Sequence, residues 1–355
     1  MKLGICGLPL AGKTTVFNAL TGAHRAVGGY DKENHPANVR VPDPRITFLS
    51  AMYKPEKTTP ATIDYLDIPG VQRETVKDDL VRVLTALRDA DALVHVVRFF
   101  KSSATPHPHG TLDPLRDKRE FEDELIVADL DVVEKRLQRI EKDMKHARND
   151  AATLHQEYDV LSRCRKVLEG GGMVRDLKLS PQEEFHTRCF QFLTAKPTLL
   201  VLNVDEDALD TAEAAAQAKA LGEGTLAMCG ELEMEISELE EAERPEFMKD
   251  LGIEEPCSDR VIRASYTLLG LRSFFTVGED EVRAWTIHAG DDAVTAAGKV
   301  HSDIARGFIR AEVMHYDALH DLGGEKEVKA AGKLRLEGRG YKVADGDIIN
   351  FRFNV

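Results

Sequence analysis

The sequence contains few cysteines and no long apolar run. Its five cysteines are scattered over 355 residues, with no Cys-x-x-Cys pair and no histidine cluster beside them. This pattern favours reduced thiols over disulfides or structural zinc, and predicts a cytoplasmic protein. No apolar segment is long enough to cross a bilayer, and the opening MKLGICGL is typical of a strand, not a secretory signal. We therefore expect no membrane partner.

Basic residues are outnumbered by acidic ones. The chain has 47 Lys and Arg against 61 Asp and Glu, a net charge of −14. This balance excludes a uniformly basic nucleic-acid binder and predicts no DNA partner, but it permits a local basic patch. Such a patch occurs near the C-terminus, where either a solvated face or an RNA-facing surface would explain it. Its members are Lys326, Lys329, Lys333, Arg335, Arg339, Lys342 and Arg352.

Short apolar runs alternate with helical patterns in the first part of the chain. The segments KLGICGL, ATIDYLDI, DALVHVV and PTLLVLNV are typical of buried strands, and TTVFNALTG and DLVRVLTALRDA are typical of helices. This alternation predicts an α/β fold with a doubly wound, mainly parallel sheet. His95, inside DALVHVV, is expected to be a core or strand-end histidine.

A heptad pattern interrupts the α/β rhythm. Apolar residues recur at steps of four and three, which predicts an inserted helical arm over residues 119–189. The arm is either one long helix or a hairpin broken at Asn149-Asp150, and its role is structural or, secondarily, partner binding. The repeating residues are Ile126, Leu130, Val133, Leu137, Ile140, Met144, Ala147, Ala151, Leu154, Tyr158 and Leu161.

The C-terminal part has a different character. EVRAWTIHAG, KLRLEGRGYKV and DIINFRFNV are typical of short strands, with a helix near AAGKVHSDIARGF. We predict a small α+β domain over residues 277–355, which leaves residues 1–118 and 190–276 for the first domain. The acidic helical stretch GELEMEISELEEAERPEFMKDLGI is interpreted as a solvated face.

The stretch GLPLAGKTT matches a phosphate-binding loop. Gly7, Gly12, Lys13 and Thr14 fit the GxxxxGK[ST] pattern between a strand and a helix. Glycines let backbone N–H groups converge on phosphate oxygens, and the helix adds its positive N-terminal end. Lys13 would reach the β and γ phosphates of a nucleotide and act in catalysis. The predicted nucleotide-binding residues here are Gly7, Leu8, Pro9, Leu10, Ala11, Gly12, Lys13, Thr14 and Thr15.

A second element, DIPG, follows the ATIDYLDI strand. Its Asp67 and the hydroxyl of Thr14 are predicted ligands of Mg²⁺, while Gly70 can offer its N–H to a γ phosphate. Without the phosphate loop, DIPG would be an ordinary turn.

A third element, NVDE, ends the PTLLVLNV strand, where ligands bind in such sheets. Guanine-specific sites usually have Asn-Lys-x-Asp there, whereas this chain places Val204 and Glu206 after Asn203. Asn203, Val204 and Glu206 are predicted to bind the nucleotide, with adenine favoured over guanine.

Across its whole length the sequence resembles the YchF/Obg-like ATPase family of P-loop NTPases. The resemblance rests on GLPLAGKTTVFNALTG, VPDPR, DIPG, RDADALVHVVRFF, DELIVADLDVVEKRLQRIEK and LNVDE, followed by a C-terminal region similar to a TGS domain. It implies ATP preferred over GTP, Mg²⁺ as cofactor, and association with the ribosome or ribosomal RNA. Glu231 to Glu233 fall where the family has its last nucleotide-loop motif, in altered form.

The resemblance also implies a catalytic histidine. Val71 stands where many GTPases have a water-orienting Gln, and the family instead uses a histidine in a His-Val-Asp-Gly loop. Here the loop is HPHG, and His107 occupies the matching position. A neutral His107 could orient water, or His107 and His109 could be solvent-exposed loop residues. A metal pair of these histidines is disfavoured because no further ligands lie nearby in the sequence.

Two departures from the family affect hydrolysis. No Thr lies between Gly22 and Ile46 to reach Mg²⁺, and the segment VQRETVKDDLVRVL after DIPG lacks glycine. The expectation is therefore a slowly hydrolysing ATPase-type switch or, alternatively, a ribosome-associated nucleotide-binding module with negligible turnover. A P-loop small-molecule kinase is disfavoured by NVDE and the TGS-like tail.

Overall fold

The computed structural model describes residues 1–25, 35–70, 77–145, 151–209, 211–240 and 242–354. Its strands are β1 (Lys2–Cys6), β2 (His35–Arg40), β3 (Lys57–Thr59), β4 (Thr62–Asp67), β5 (Ala92–Phe99), β6 (Thr198–Val204), β7 (Leu226–Met228), β8 (Leu271–Thr276), β9 (Glu281–His288), β10 (Phe308–His315), β11 (Arg335–Glu337) and β12 (Asp347–Phe353).

The helices follow the same chain order. They are α1 (Lys13–Thr21), α2 (Pro44–Tyr53), α3 (Lys77–Asp89), α4 (Pro114–Met144), α5 (Ala151–Glu169), α6 (Pro181–Thr187), α7 (Ala212–Leu221), α8 (Gly230–Glu238), α9 (Arg244–Asp250), α10 (Cys257–Leu268), α11 (Ala293–Val300), α12 (Ser302–Arg306), α13 (Tyr316–Leu322) and α14 (Glu325–Ala330). None of the helices within the described ranges combines the length and apolarity needed to cross a bilayer.

The chain forms two compact units. One comprises residues 1–37 and 64–261, and the other comprises residues 38–63 and 262–355. The second unit takes in β3 and β8, which the domain prediction had placed with the nucleotide-binding part. The reason is strand pairing, since β3 pairs with β9 and β8 lies between β12 and β9.

The first sheet has the strand order β2-β4-β1-β5-β6-β7. Its strands β4, β1, β5, β6 and β7 pair in parallel, so the predicted parallel α/β fold is confirmed. The strands are apolar because both faces are covered, and β5 is buried from Ala92 to Arg98. The parallel register places the loops after β1, β4, β5 and β6 at one edge of the sheet, where the predicted nucleotide-binding residues occur.

The heptad segment forms two helices, α4 and α5. The seam residues Val133, Leu137 and Ile140 of α4 are buried with Leu161 of α5 in one apolar cluster. Arg136 of α4 donates two hydrogen bonds of 2.7 Å to the Glu157 carboxylate of α5. The hairpin alternative is therefore the observed one, and the predicted break at Asn149-Asp150 lies outside the described residues.

Helix α4 begins before the predicted arm. Asp113 caps it by accepting the N–H of Arg116, and Pro114 occupies its first turn. Its first turns place Phe121 and Leu125 in the core cluster of the first unit, together with Cys6 and Leu93. The start of the helix is thereby fixed against the sheet, close to the HPHG loop.

The second unit is built on a mixed sheet with the order β11-β10-β12-β8-β9-β3. β10 pairs antiparallel with β11 and β12, whereas β12 and β8 run parallel. Phe274, Ile287 and Phe351 from the sheet pack with Ala296 of α11. Within the KLRLEGRGYKV segment, only Arg335–Glu337 is a strand.

Candidate functional site

The loop between β1 and α1 has the backbone geometry of an anion cradle. Gly7 and Gly12 have φ values of 139° and 85°, and Leu10 also has a positive φ of 63°. A Cβ on Gly12 would lie 2.2 Å from Nδ2 of Asn203, so this position requires glycine for both its conformation and its contact. The loop is a sharp turn that leads into the N-terminus of α1.

Lys13 is buried in this loop and aims its ammonium back across it. The Nζ atom donates a 2.8 Å hydrogen bond to the carbonyl of Leu8, and the residue is 8% exposed. Burial lowers the Lys13 pKa from 10.5 to about 8, against the attraction of Asp67. The ammonium is thus a desolvated cation that gains from an anionic ligand placed beside it.

The predicted Mg²⁺ ligands lie side by side. The Thr14 hydroxyl donates a 3.1 Å hydrogen bond to Oδ2 of Asp67 at the end of β4. Arg25 also contacts the Asp67 carboxylate, so a guanidinium lies against the oxygen that would face the ion. A hydroxyl and a carboxylate next to a resident cation fit a hard divalent ion, provided that Arg25 moves away.

Gly70 follows this strand and approaches the loop closely. A Cβ on Gly70 would lie 2.8 Å from Nζ of Lys13 and 3.0 Å from the backbone nitrogen of Pro9. The structure therefore brings DIPG and the phosphate loop together, as predicted. Val71 and the rest of residues 71–76, like residues 26–34 of the other predicted switch segment, lie outside the described residues.

Asn203 links two loops through its buried side chain. Its Nδ2 donates to the carbonyl of Ala11 over 3.1 Å, and its Oδ1 accepts from the N–H of Gly230 over 3.0 Å. Asn203 therefore holds the phosphate loop against the start of α8. Its side-chain amide is engaged by backbone groups on both sides.

The other NVDE positions face different ways. Val204 is 2% exposed and belongs to an apolar core cluster, so only its backbone faces the site. The Asp205 carboxylate accepts the N–H of Lys101 at 3.0 and 3.3 Å. Glu206 is exposed at the start of a 3₁₀ turn, Glu206–Ala208. Of the three predicted nucleotide contacts, Glu206 presents its side chain to solvent.

His107 lies in a loop that folds back onto α4. Its Nε2 lies 2.8 Å from Oδ2 of Asp117, and its Nδ1 accepts the N–H of His109 over 3.1 Å. Because Nδ1 is an acceptor, the ring proton belongs on Nε2, which donates to Asp117. With an 8% exposed side chain, His107 is not the solvent-exposed loop residue of the alternative interpretation.

The His107 loop and the phosphate loop share a cavity of about 290 Å³. Leu8, Pro9 and Ala11 contribute one wall, and His107 and Asp117 contribute another. The predicted catalytic histidine is thus placed next to the phosphate loop. Both of its ring nitrogens are engaged in this arrangement.

Comparisons with known proteins match this architecture. Residues 2–128 fit the family model MMR_HSR1, described as 50S ribosome-binding GTPase, and residues 271–354 fit YchF-GTPase_C, described as a protein of unknown function. The chain is 41% identical over 368 residues to the ribosome-binding ATPase YchF of Escherichia coli O157:H7, covering 100% of this chain and 99% of the relative. The chain belongs to the YchF family.

Further YchF proteins agree along the whole chain. The ribosome-binding ATPase YchF of Bacillus subtilis is 40% identical over 372 residues, covering 100% of both chains. The structure of the Schizosaccharomyces pombe YchF GTPase matches with a TM-score of 0.85 at 30% identity, covering 99% of this chain and 97% of that one. The resemblance stated from the sequence is confirmed.

Sequence reasoning missed the role of Arg98 on β5. The guanidinium donates to the carbonyls of Leu10 at 3.1 Å, Phe100 at 3.1 Å and Thr105 at 2.7 Å. Burial lowers the Arg98 pKa, against the attraction of Asp117. Arg98 ties the phosphate loop to the chain that leads to His107. An arginine at the end of an otherwise apolar buried strand was the available signal.

Glu233 is an exception to the predicted solvated acidic face of this YchF chain. It is 3% exposed, and its carboxylate accepts the N–H groups of Cys257 at 2.6 Å and Ser258 at 3.0 Å. These are the first residues of α10, so the interpretation of Glu233 as a surface carboxylate was wrong. Its burial is explained by capping, since a carboxylate is stabilised at the N-terminus of a helix.

Proposed function

We propose that this YchF-family protein binds ATP with Mg²⁺, hydrolyses its β–γ phosphate bond slowly, and associates with the ribosome as a nucleotide-dependent switch. The relatives from E. coli and B. subtilis are named ribosome-binding ATPases. The observation that carries the proposal is the phosphate loop, where a buried ammonium lies at the N-terminus of α1 beside the Thr14–Asp67 pair.

The proposed nucleotide contacts follow from the loop geometry. Backbone N–H groups of residues 7–15 and of Gly70 bind phosphate oxygens, and Lys13 neutralises the β and γ phosphates. Thr14 and Asp67 hold the metal ion. When bound, Mg²⁺ supplies charge neutralisation at the transferred phosphate.

The proposed preference for ATP over GTP rests on the NVDE loop. A guanine-specific Asp would accept two hydrogen bonds from the base, but Glu206 is longer by one methylene and is exposed. Val204 turns into the core, so no side chain from this position covers the base as a lysine stem would. We expect Glu206→Asp, which restores the shorter carboxylate, to shift the ratio of ATP to GTP affinity toward GTP. An unchanged ratio would remove this loop as the source of base selection.

His107 is proposed to orient the attacking water, with Asp117 fixing its ring. In the observed arrangement its Nε2 donates to Asp117 and its Nδ1 accepts the N–H of His109, so neither nitrogen is available to a water molecule. One of these two bonds must open before His107 can act. This requirement favours slow turnover, and it is also the observation that supports the second candidate, a binding module with negligible hydrolysis.

The ribosome contact is proposed to involve the helical arm of residues 119–189 and the C-terminal TGS domain of residues 277–355. Lys326, Lys329 and Lys333 are exposed in and after α14. Exposed cations suit RNA because they can contact its phosphates.

The test measures ATP and GTP binding together with single-turnover hydrolysis, with and without ribosomes. Lys13→Met should abolish nucleotide binding, and His107→Ala should keep binding but lower hydrolysis by roughly 100-fold. His155→Ala, which removes an exposed histidine of α5, is the matched control and should change neither property. Tight ATP binding without turnover under every condition would establish the binding module, and tight binding by Lys13→Met would refute the site.

A further inference from the structure

A second group of chemically reactive side chains lies at the start of α4, beside the phosphate loop. His109, Asp117 and Glu120 each offer one donor atom, and these atoms all lie within 4.8 Å of one another. Nε2 of His109 and Oε2 of Glu120 are 2.8 Å apart. His107 and His109 have no further ligands directly beside them in the sequence, but the fold supplies two carboxylates from one turn of α4.

The local fold explains why the three groups meet. Asp117 and Glu120 are three residues apart on α4, so their side chains project from the same face of the helix. The HPHG loop turns back toward this face because His107 bonds to Asp117 and accepts the backbone N–H of His109. The turn sets the imidazole of His109 over Glu120.

The surroundings of the cluster form a partly enclosed site. His109, Asp117 and Glu120 line the cavity of about 290 Å³, which His95 also lines from β5. His95 is 2% exposed, and its ring lies against Phe121. Its imidazole adds a further nitrogen-bearing side chain to the lining of the cavity.

We propose that His109, Asp117 and Glu120 bind a divalent transition-metal ion of the Zn²⁺ class, separate from the Mg²⁺ of the nucleotide. One imidazole and two carboxylates give a mixed nitrogen and oxygen set, which Zn²⁺ and Co²⁺ accept and which Mg²⁺, with its preference for oxygen alone, does not favour. The cavity leaves an open coordination position for a water molecule, on the side that His95 lines.

The neighbours of Asp117 act as an outer shell for this site. His107 donates to one carboxylate oxygen of Asp117, and Arg116 donates to the other at 2.8 and 3.0 Å. Oδ2 accepts only from His107 and keeps a second lone pair, so Asp117 can ligate a metal ion through Oδ2 and retain these bonds. Hydrogen bonds to a ligating carboxylate fix its orientation and raise metal affinity.

The required adjustment is small. Bonds of about 2.0–2.2 Å to a tetrahedral ion place the donor atoms roughly 3.4 Å apart. The present separations reach at most 4.8 Å. The side chain of His109 is 42% exposed, so rotation of its ring can close the remaining gap without disturbing the core.

The experiment is a Co²⁺ titration of the full-length, nucleotide-free protein in excess Mg²⁺, followed by visible absorption and by calorimetry. We expect one equivalent to bind, with the absorption bands of a four-coordinate nitrogen and oxygen site, and Zn²⁺ to displace it. Excess Mg²⁺ competes for oxygen-only sites such as the Thr14–Asp67 pair, and the His109→Ala variant shows whether the remaining signal comes from the α4 site. The absence of nucleotide makes the result independent of the proposed ATPase function.

Matched variants separate this site from other histidines. His109→Ala and Glu120→Gln should each lose the Co²⁺ bands, and His107→Ala, in the outer shell, should lower affinity by roughly 10–100-fold. His24→Ala is the control. His24 also pairs with a carboxylate, Glu238, at 3.3 Å, but it does not belong to the metal-binding group found among the described residues. Wild-type protein that binds no Co²⁺, or bands that persist in His109→Ala, would overturn the proposal.

Discussion

Replacing Lys13 by methionine should stabilise the nucleotide-free protein while abolishing nucleotide binding. The Lys13 ammonium is buried, with one hydrogen bond to the Leu8 carbonyl and an attraction to Asp67 that does not offset the loss of water. Methionine has a similar length and no charge, so it removes the desolvation cost and keeps most of the packing. Lys13, although required for function, is thus predicted to lower the stability of the nucleotide-free protein.

The magnitude follows from the pKa. The pKa of Lys13 falls from 10.5 to about 8, and this depression costs the folded state roughly 3 kcal/mol at neutral pH. Between these two pKa values the unfolded chain binds more protons than the folded one, so stability rises with pH over that window. Below this pH window the folded state bears the full cost of the buried Lys13 ammonium, and above the window that cost is lost.

The assay is urea unfolding followed by far-UV circular dichroism, on wild-type and Lys13→Met protein without nucleotide. We expect the advantage of Lys13→Met to shrink by roughly 2 kcal/mol between pH 7 and pH 9.5, since other titrating groups cancel in the difference. ATP should remove the advantage below pH 8, because bound phosphate stabilises the ammonium. A difference in stability that stays constant with pH would refute the reasoning.

Three further substitutions test the scaffold of the site. Asn203→Ala leaves two buried backbone groups without partners and should lower the free energy of unfolding by about 2–4 kcal/mol, measured by urea titration. Arg98→Met should weaken ATP binding by roughly 10–100-fold in calorimetry while the circular dichroism spectrum stays native, because the loss of a charge-assisted hydrogen bond releases the phosphate loop. Glu233→Gln keeps only one acceptor for the two N–H groups at the start of α10 and should lower the thermal midpoint, whereas Glu231→Gln, at an exposed neighbouring position, should not.

The parallel sheet and its motifs could be predicted because the local sequence pattern of each strand already shows that the strand is buried. A buried parallel strand is continuously apolar, so KLGICGL and PTLLVLNV are recognisable without any partner. The second unit was harder, since β3 is only three residues long and gains its identity from β9, a strand far away in sequence. The heptad pattern predicted the arm, but it does not specify where the chain reverses between α4 and α5.

The same distinction holds within the site. The sequence predicts Gly12, Lys13 and Thr14 because their spacing in the motif is what phosphate binding requires. Arg98 and Glu233 were missed or misassigned because a charged residue is usually exposed, and only the fold shows that backbone groups replace water around them. The direction of Val204 was also hidden, since alternation along a strand decides which face a residue takes only once the register is known.

The contacts to the phosphate loop explain how it presents N–H groups to an anion. Four consecutive or nearby carbonyls are held by donors from the protein: Leu8 by Lys13, Leu10 by Arg98, Ala11 by Asn203 and Gly12 by Val16. In a trans peptide the N–H points opposite to the carbonyl of the same unit. Fixing the last three carbonyls inward therefore turns the N–H groups of the following residues, 11 to 13, away from the protein and toward the ligand.

The first of these four peptide units also has its carbonyl held, but it presents no N–H group. The carbonyl of Leu8 accepts from Lys13, and the residue that completes this unit is Pro9, which has no N–H to present. The donors Arg98 and Asn203 come from β5 and β6. The orientation of the phosphate loop therefore depends on β5, which lies next to β1, and on β6, which lies next to β5, and both are distant from the loop in sequence. The glycines of the nine-residue motif let the loop adopt this conformation. The side chains of Arg98 and Asn203 then fix the direction of its carbonyl and N–H groups.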